Sequence, residues 1–154
     1  MINNDILRRL RFVFDYSNAK MTKIFAQANV EVSNDEIISL LKKEEEEGYK
    51  ACNDKLMCQF LDGFIIEKRG LREGSEVPAP LKDLTNNLIF KKLRIALELR
   101  EDDIIELIGS GDLAIGKSEL GALFRNPSHK NYKTCGDQIL RNFLKGLSLK
   151  HRGM

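Results

Sequence analysis

Between residues 3 and 14 the apolar positions fall at Ile6, Leu7, Leu10, Val13 and Phe14, the i, i+1, i+4, i+7, i+8 spacing of a helix that buries one face. Asn4 or Asp5 stands in front of it as a candidate cap. Met21, Ile24, Phe25 and Ala28 predict a second helix beginning near Ser17, and Ile37, Leu40 and Leu41 predict a third. Ser33, with Glu36 three residues on, forms a capping box for that third helix. Leu56, Met57, Phe60, Leu61 and Phe64 mark a fourth, running from Asp54 as its cap to about Arg69.

The whole pattern is then written again. Residues 3–70 lie without a gap over residues 86–153, each partner 83 positions downstream. Ile89, Phe90, Leu93, Ala96 and Leu97 repeat the first stripe, with Asn87 as the matching cap. Ile104, Leu107 and Ile108 repeat the second from near Arg100; Leu120, Leu123 and Phe124 repeat the third behind Gly116 and Glu119. Ile139, Leu140, Phe143, Leu144 and Leu147 repeat the fourth, from Asp137 to about Arg152. Sixteen pairs are identical, among them Asn3, Asn4, Glu36, Tyr49, Lys50, Cys52, Asp54 and Gly63 with their counterparts, where unrelated segments would share roughly four.

A duplicated pattern of helical period with no convincing strand predicts an all-α chain: two tandem four-helix repeats related by pseudo-two-fold symmetry. The repeats are residues 3–70 and 86–153, and residues 71–85, with Gly74, Pro78 and Pro80, read as a linker. Gly63 and Gly146 fall inside the fourth helices, where glycine costs about 1 kcal/mol relative to alanine. Close contact with a neighbouring helix is the expected compensation, the axis relating the copies being one place for it.

Composition adds the class of protein. Apolar content of 42% with 31% charged residues is that of an ordinary globular chain. No apolar run approaches a membrane span, and Met1 to Arg11 carries charges where a signal peptide is apolar, so a cytoplasmic location is expected. Three cysteines, without a secretory signal, argue against a disulfide framework. Cys52 and Cys135 occupy one place in the two copies and are expected to be buried as small apolar residues. Charge is unevenly shared: residues 3–70 hold 11 basic against 12 acidic side chains, a net −1, and residues 86–153 hold 12 against 8, a net +4.

The openings "NNDILRRLR" and "NNLIFKKLR", with "CNDKLMCQFLDGFIIEKRG" and "HKNYKTCGDQILRNFLKGL", resemble the YehS-like family of bacterial proteins, built from a tandem domain of unknown function numbered 1456. The resemblance covers nearly the whole chain. It implies a cytoplasmic bacterial protein and supplies no catalytic residue.

Candidate chemistry is therefore read from the residues. "IFAQANVEVSNDEIISLLKK" has the apolar spacing of a helix-turn-helix. Its outer face in the first copy, Asn34, Asp35, Ile38, Ser39 and Lys42, carries an aspartate that repels phosphate; the second copy offers Lys117, Ser118, Gly121, Ala122 and Arg125, followed by Lys130 and Lys133. Arg8, Arg9 and Lys91, Lys92 lie on equivalent helices as further candidate phosphate contacts. Arg11 with Asp15 and Arg94 with Glu98 are i, i+4 neighbours able to pair locally.

The acidic run Glu44, Glu45, Glu46, Glu47 is replaced in the second copy by Pro127, Ser128, His129 and Lys130. Opposite charge in matched loops suggests that loop one of one protomer meets loop two of another. Tyr49 and Tyr132 are expected to anchor these loops, with the hydroxyl on a backbone partner. His129 and Cys135 match no closed zinc site, and Gly109, Ser110 and Gly111 follow a helix rather than a strand, so they end it rather than hold phosphate. No enzymatic activity, metal or cofactor is expected. The predicted role is a non-enzymatic binding or assembly module, through protein interaction or homo-oligomerisation, with nucleic-acid binding as the alternative.

Overall fold

The computed structural model describes residues 1–154. Eight helices account for the regular structure, and no strand is present. The chain divides into two compact units, Met1–Leu84 and Thr85–Met154. The first holds α1 (Asn3–Val13), α2 (Asn18–Gln27), α3 (Asn34–Leu40) and α4 (Asp54–Arg69). The second holds α5 (Asn86–Leu97), α6 (Glu101–Ser110), α7 (Lys117–Leu123) and α8 (Asp137–Arg152). Helices α6, α7 and α8 begin and end 83 positions after α2, α3 and α4. The duplication read from the apolar stripes is thus a duplication of structure, as two four-helix repeats.

Each unit packs its second helix on its fourth. In the first, Ile24 and Phe25 of α2 and Met57, Phe60 and Phe64 of α4 are all fully buried, and the Phe25 and Phe60 rings lie edge to face with centres 5.2 Å apart. In the second, Phe90 of α5 stands 4.6 Å from Phe143 of α8 and 5.1 Å from Phe124. Burying each such ring stabilises the fold by about 1.5–3 kcal/mol.

The glycines inside the fourth helices owe their place to this packing, the neighbouring helix being the second helix of the same repeat. A Cβ on Gly63 would lie 3.0 Å from the Ile24 carbonyl carbon, and one on Gly146 would lie 2.6 Å from that of Leu107, closer still to both oxygens. Ile24 and Leu107 are themselves an equivalent pair. Only hydrogen lets backbone meet backbone here, which offsets the helical cost of glycine.

Several caps differ from expectation. Asn4 and Asn87 lie inside α1 and α5, 1% and 6% exposed, and do not cap them. Asp5 instead accepts from the Ile2 N–H at 3.0 Å, and the Thr85 hydroxyl from Leu88 N–H at 3.2 Å. Asp54 is the first helical residue of α4, and Asn53 caps it by accepting from Leu56 N–H at 2.8 Å; Gly136 holds the same place before Asp137. Ser33 caps α3 as expected, accepting from Glu36 N–H at 3.1 Å, and Ser17, at the expected start of α2, caps it by accepting from Lys20 N–H at 3.1 Å. The end of the connecting segment is tied to α4: Leu81 N–H reaches Cys58 Sγ at 3.3 Å and Leu84 N–H the Asp54 carboxylate at 3.0 Å.

Candidate binding surfaces

Four of the polar residues identical in both copies, Asn3, Asn4, Cys52 and Asp54 with their counterparts, converge on one internal clamp. Asn4 Nδ2 donates to the Leu40 carbonyl at 2.9 Å and the Lys50 carbonyl at 2.8 Å, while its Oδ1 accepts from Cys52 N–H at 2.9 Å. Asn87 makes the same three bonds to Leu123, Lys133 and Cys135 at 2.9, 2.8 and 2.8 Å. A buried amide has two donors and an acceptor to satisfy, and here each finds a backbone partner. Beside it, Asn3 donates to the Cys52 carbonyl at 3.0 Å and to Asp54 at 2.9 Å; Asn86 repeats this on Cys135 and Asp137 at 3.1 and 2.7 Å. The first helix thereby holds both the end of the third and the stretch entering the fourth.

Tyr49 belongs to the same clamp: its hydroxyl donates to Asn4 Oδ1 at 3.3 Å, a side-chain partner rather than the expected backbone one. Glu36 does not complete a capping box; its carboxylate pairs with Lys50, as Glu119 pairs with Lys133. Cys52 and Cys135 are 6% and 2% exposed, as expected of small apolar residues. Burial, with Asp54 nearby, pushes the Cys52 thiol up to about 12; burial, with Asp137, pushes Cys135 up to about 11. Neither is a thiolate at neutral pH, which removes the usual basis of cysteine nucleophilicity.

The clamp fixes the frame of the loop after each third helix. In the first copy Glu46 N–H bonds the Lys43 carbonyl at 3.0 Å, Tyr49 N–H that of Glu46 at 3.3 Å, and Lys50 N–H that of Ser39 at 3.1 Å. In the second, His129 bonds Asn126 at 2.8 Å, Tyr132 bonds His129 at 3.0 Å and Lys133 bonds Ala122 at 3.1 Å. One frame therefore carries Glu44 to Glu47 in one copy and Pro127 to Lys130 in the other, all exposed. Glu46 is partly spent within its loop, accepting from Lys43 N–H at 3.1 Å, and His129 Nδ1 accepts from Asn131 N–H at 3.0 Å.

The candidate phosphate contacts are dispersed. Arg8 is held by Asp5 and by the Lys42 carbonyl at 2.8 Å. Lys117 faces Asp102 at 3.4 Å, Lys133 is paired with Glu119, and Arg125 donates to the Asn131 carbonyl at 3.3 Å. Arg9, Lys91 and Lys130 are exposed, Lys92 half-buried. Arg94 donates to the Leu99 carbonyl at 3.1 Å and lies over the Phe124 ring, 4.8 Å from its centre. Residues 28–33 separate α2 from α3, more than the three or four of a helix-turn-helix, and α3 has only seven residues. Ala122, expected on the outer face of α7, is buried at 9%. Gly111 caps α6, in keeping with helix termination.

One surface escaped the reading of the sequence because charges were compared loop by loop and not helix by helix. Helix α2 carries Lys20 and Lys23 with no acidic residue, a net +2; its counterpart α6 carries Glu101, Asp102, Asp103 and Glu106 with no basic one, a net −4. In the first unit Lys20 crosses the groove between α2 and α4 to Glu67, which also accepts from Gln27 at 3.0 Å. These contacts, Lys20 foremost, hold the Glu67 carboxyl below its ordinary range. Burial, then the Glu67 charge, pushes the nearby Tyr16 hydroxyl up to about 12. In the second unit the corresponding groove, between α6 and α8, stays open: a cleft of about 310 Å³ lined by Asp103, Glu106, Leu107, Ser110, Leu149 and Lys150.

No helix is long and apolar enough to cross a membrane. The family model described as "Protein of unknown function (DUF1456)" matches twice, over residues 3–70 and 86–153. Over 150 residues the chain is 41% identical to the "Uncharacterized protein YehS" of Escherichia coli (strain K12), covering 97% of this chain and 96% of that protein. No solved structure matches. With both repeats matched, and with a relative of this identity along almost its whole length, the chain belongs to the DUF1456 family of proteins of unknown function.

Proposed function

We propose that the chain is a non-enzymatic assembly module that joins copies of itself through its two matched loops, the acidic Glu44–Glu47 of one copy meeting the Ser128–Lys130 stretch of another. The supporting observation is one hydrogen-bonded loop frame with opposite charge on its two occurrences. A clamp that sets backbone shape from beneath frees the outward side chains to specify a partner. The raised thiols and the use of the repeat-identical asparagines within that clamp favour a role without catalysis.

Sedimentation velocity across salt tests the proposal. At about 0.05 M salt the chain should sediment above monomer mass, and at about 0.5 M, where exposed charges are screened within about 5 Å, it should dissociate. Glu44→Lys with Glu45→Lys should dissociate it at low salt too. Association that ignores both salt and these substitutions refutes the loop reading.

Nucleic-acid binding has narrower support. Residues 117–152 hold eight basic side chains, Lys117, Arg125, Lys130, Lys133, Arg141, Lys145, Lys150 and Arg152, against Glu119 and Asp137. Lys117, Lys133 and Lys145 already face carboxylates. Adding a duplex to the same sedimentation runs decides between the readings, since binding by phosphate contacts falls steeply with salt.

A further inference from the structure

Charge difference and cavity meet on the second helices. In the first unit, Lys20 reaches from the second helix to the fourth and places its ammonium on Glu67. In the second unit the positions of Lys20, Lys23, Glu67 and Gln27 are taken by Asp103, Glu106, Lys150 and Ser110. Where the first unit has this lysine the second has a shorter carboxylate, Asp103, and it lines a cleft of about 310 Å³. Its floor is apolar, Leu107 and Leu149, and its rim carries two carboxylates against one ammonium. Asp103 spends one oxygen on the Arg100 N–H at 2.8 Å, and Glu106 takes part in no ion pair. An apolar floor under a net acidic rim is the shape and charge that a lysine side chain fits.

We propose that this cleft receives Lys23 from helix α2 of a second copy of the chain. Lys23 is exposed on a helix free of acidic residues, flanked by exposed Ala19 and Ala26, which keep its outer surface low. Helix α6 presents four carboxylates and no cation. With Glu67 set against Lys20, and Lys117 and Lys150 set against two of the four carboxylates, the α2 surface keeps a net +1 and the α6 surface a net −2, so like surfaces repel and α2 against α6 attracts. The contact is therefore head to tail, and it closes into a dimer when made reciprocally or runs on as a chain when it is not. This rests on the reading of the chain as a self-assembling module and gives that assembly a contact separate from the loops.

The test is a charge swap on two exposed residues. Sedimentation velocity is run on the full chain, on Lys23→Glu, on Glu106→Lys and on the double variant, with thermal melts confirming that each folds. Each single variant should weaken association by up to about fivefold, the upper end for an exposed ion pair, and the double variant should return to within about twofold of the parent. A parent chain that stays monomeric, single variants that associate like the parent, or a double variant weaker than either single one overturns the inference. Loss of association on changing Glu44 and Glu45 while the helix variants behave as the parent removes this contact and leaves the loop reading standing. The converse result removes the loops and keeps the cleft.

Discussion

Replacing Asn4 by leucine, which is close to it in size, removes one amide that touches three backbone groups. Of these, the Leu40 carbonyl and the Cys52 N–H are buried with their bonds, whereas the Lys50 carbonyl is only partly so and can turn to water. Two buried groups left without partners cost about 1–3 kcal/mol each. The leucine recovers part of that through apolar burial, so the expected loss is about 3 kcal/mol of the roughly 5–15 kcal/mol that holds a domain together. Urea unfolding followed by circular dichroism measures it, and hydrogen exchange at the Cys52 amide locates it. Asn87→Leu is the internal replicate, because the same three bonds recur there. Asn4→Asp separates shape from donor capacity: a carboxylate facing two carbonyl oxygens has its pKa raised, so the variant should be most stable below about pH 4 and lose stability as pH rises. A loss under about 1 kcal/mol for Asn4→Leu, the net worth of an ordinary hydrogen bond, would refute the clamp as a structural element.

Two further outcomes follow from the packing. Gly63→Ala and Gly146→Ala, which on an open helix would each gain about 1 kcal/mol, should instead each destabilise by about 2 kcal/mol or more, because the new methyl meets backbone; melts of the single variants check the sign. Cys52 and Cys135 should resist a thiol reagent at neutral pH until urea unfolds the chain. Since the folded thiols sit at about 12 and 11 against an ordinary 9.0, the stability they contribute is complete below pH 9 and is lost as pH climbs through that window.

The apolar stripes located all eight helices because each was read twice, and a chance alignment in one copy seldom recurs in the other. What failed was the assignment of polar residues by local rules. Asn4 looked like a cap because asparagine near a helix start usually is one; its actual partners lie 36 to 48 residues away. The signal was present, since Asn4 and the Tyr-Lys-x-Cys stretch are identical in both copies, but identity says that residues matter together without saying that they touch. Gly63 was recognised as needing a close neighbour, and only coordinates could choose the Ile24 backbone over a helix of the other repeat. Lys133, a candidate phosphate contact from sequence, is paired with Glu119, which stands 14 residues before it and outside any helical spacing. The cleft beside α6 was invisible because its lining comes from two helices, α6 and α8.

The glycine contacts also govern how each unit answers a push. With a peptide plane of the second helix seated on the bare Cα of the fourth, there is no layer of rotatable side chains at that point to shear or to swivel. Helices α2 and α4, and likewise α6 and α8, must travel as one plank, so a load applied to the outside of either second helix would be passed on as rigid displacement instead of being absorbed.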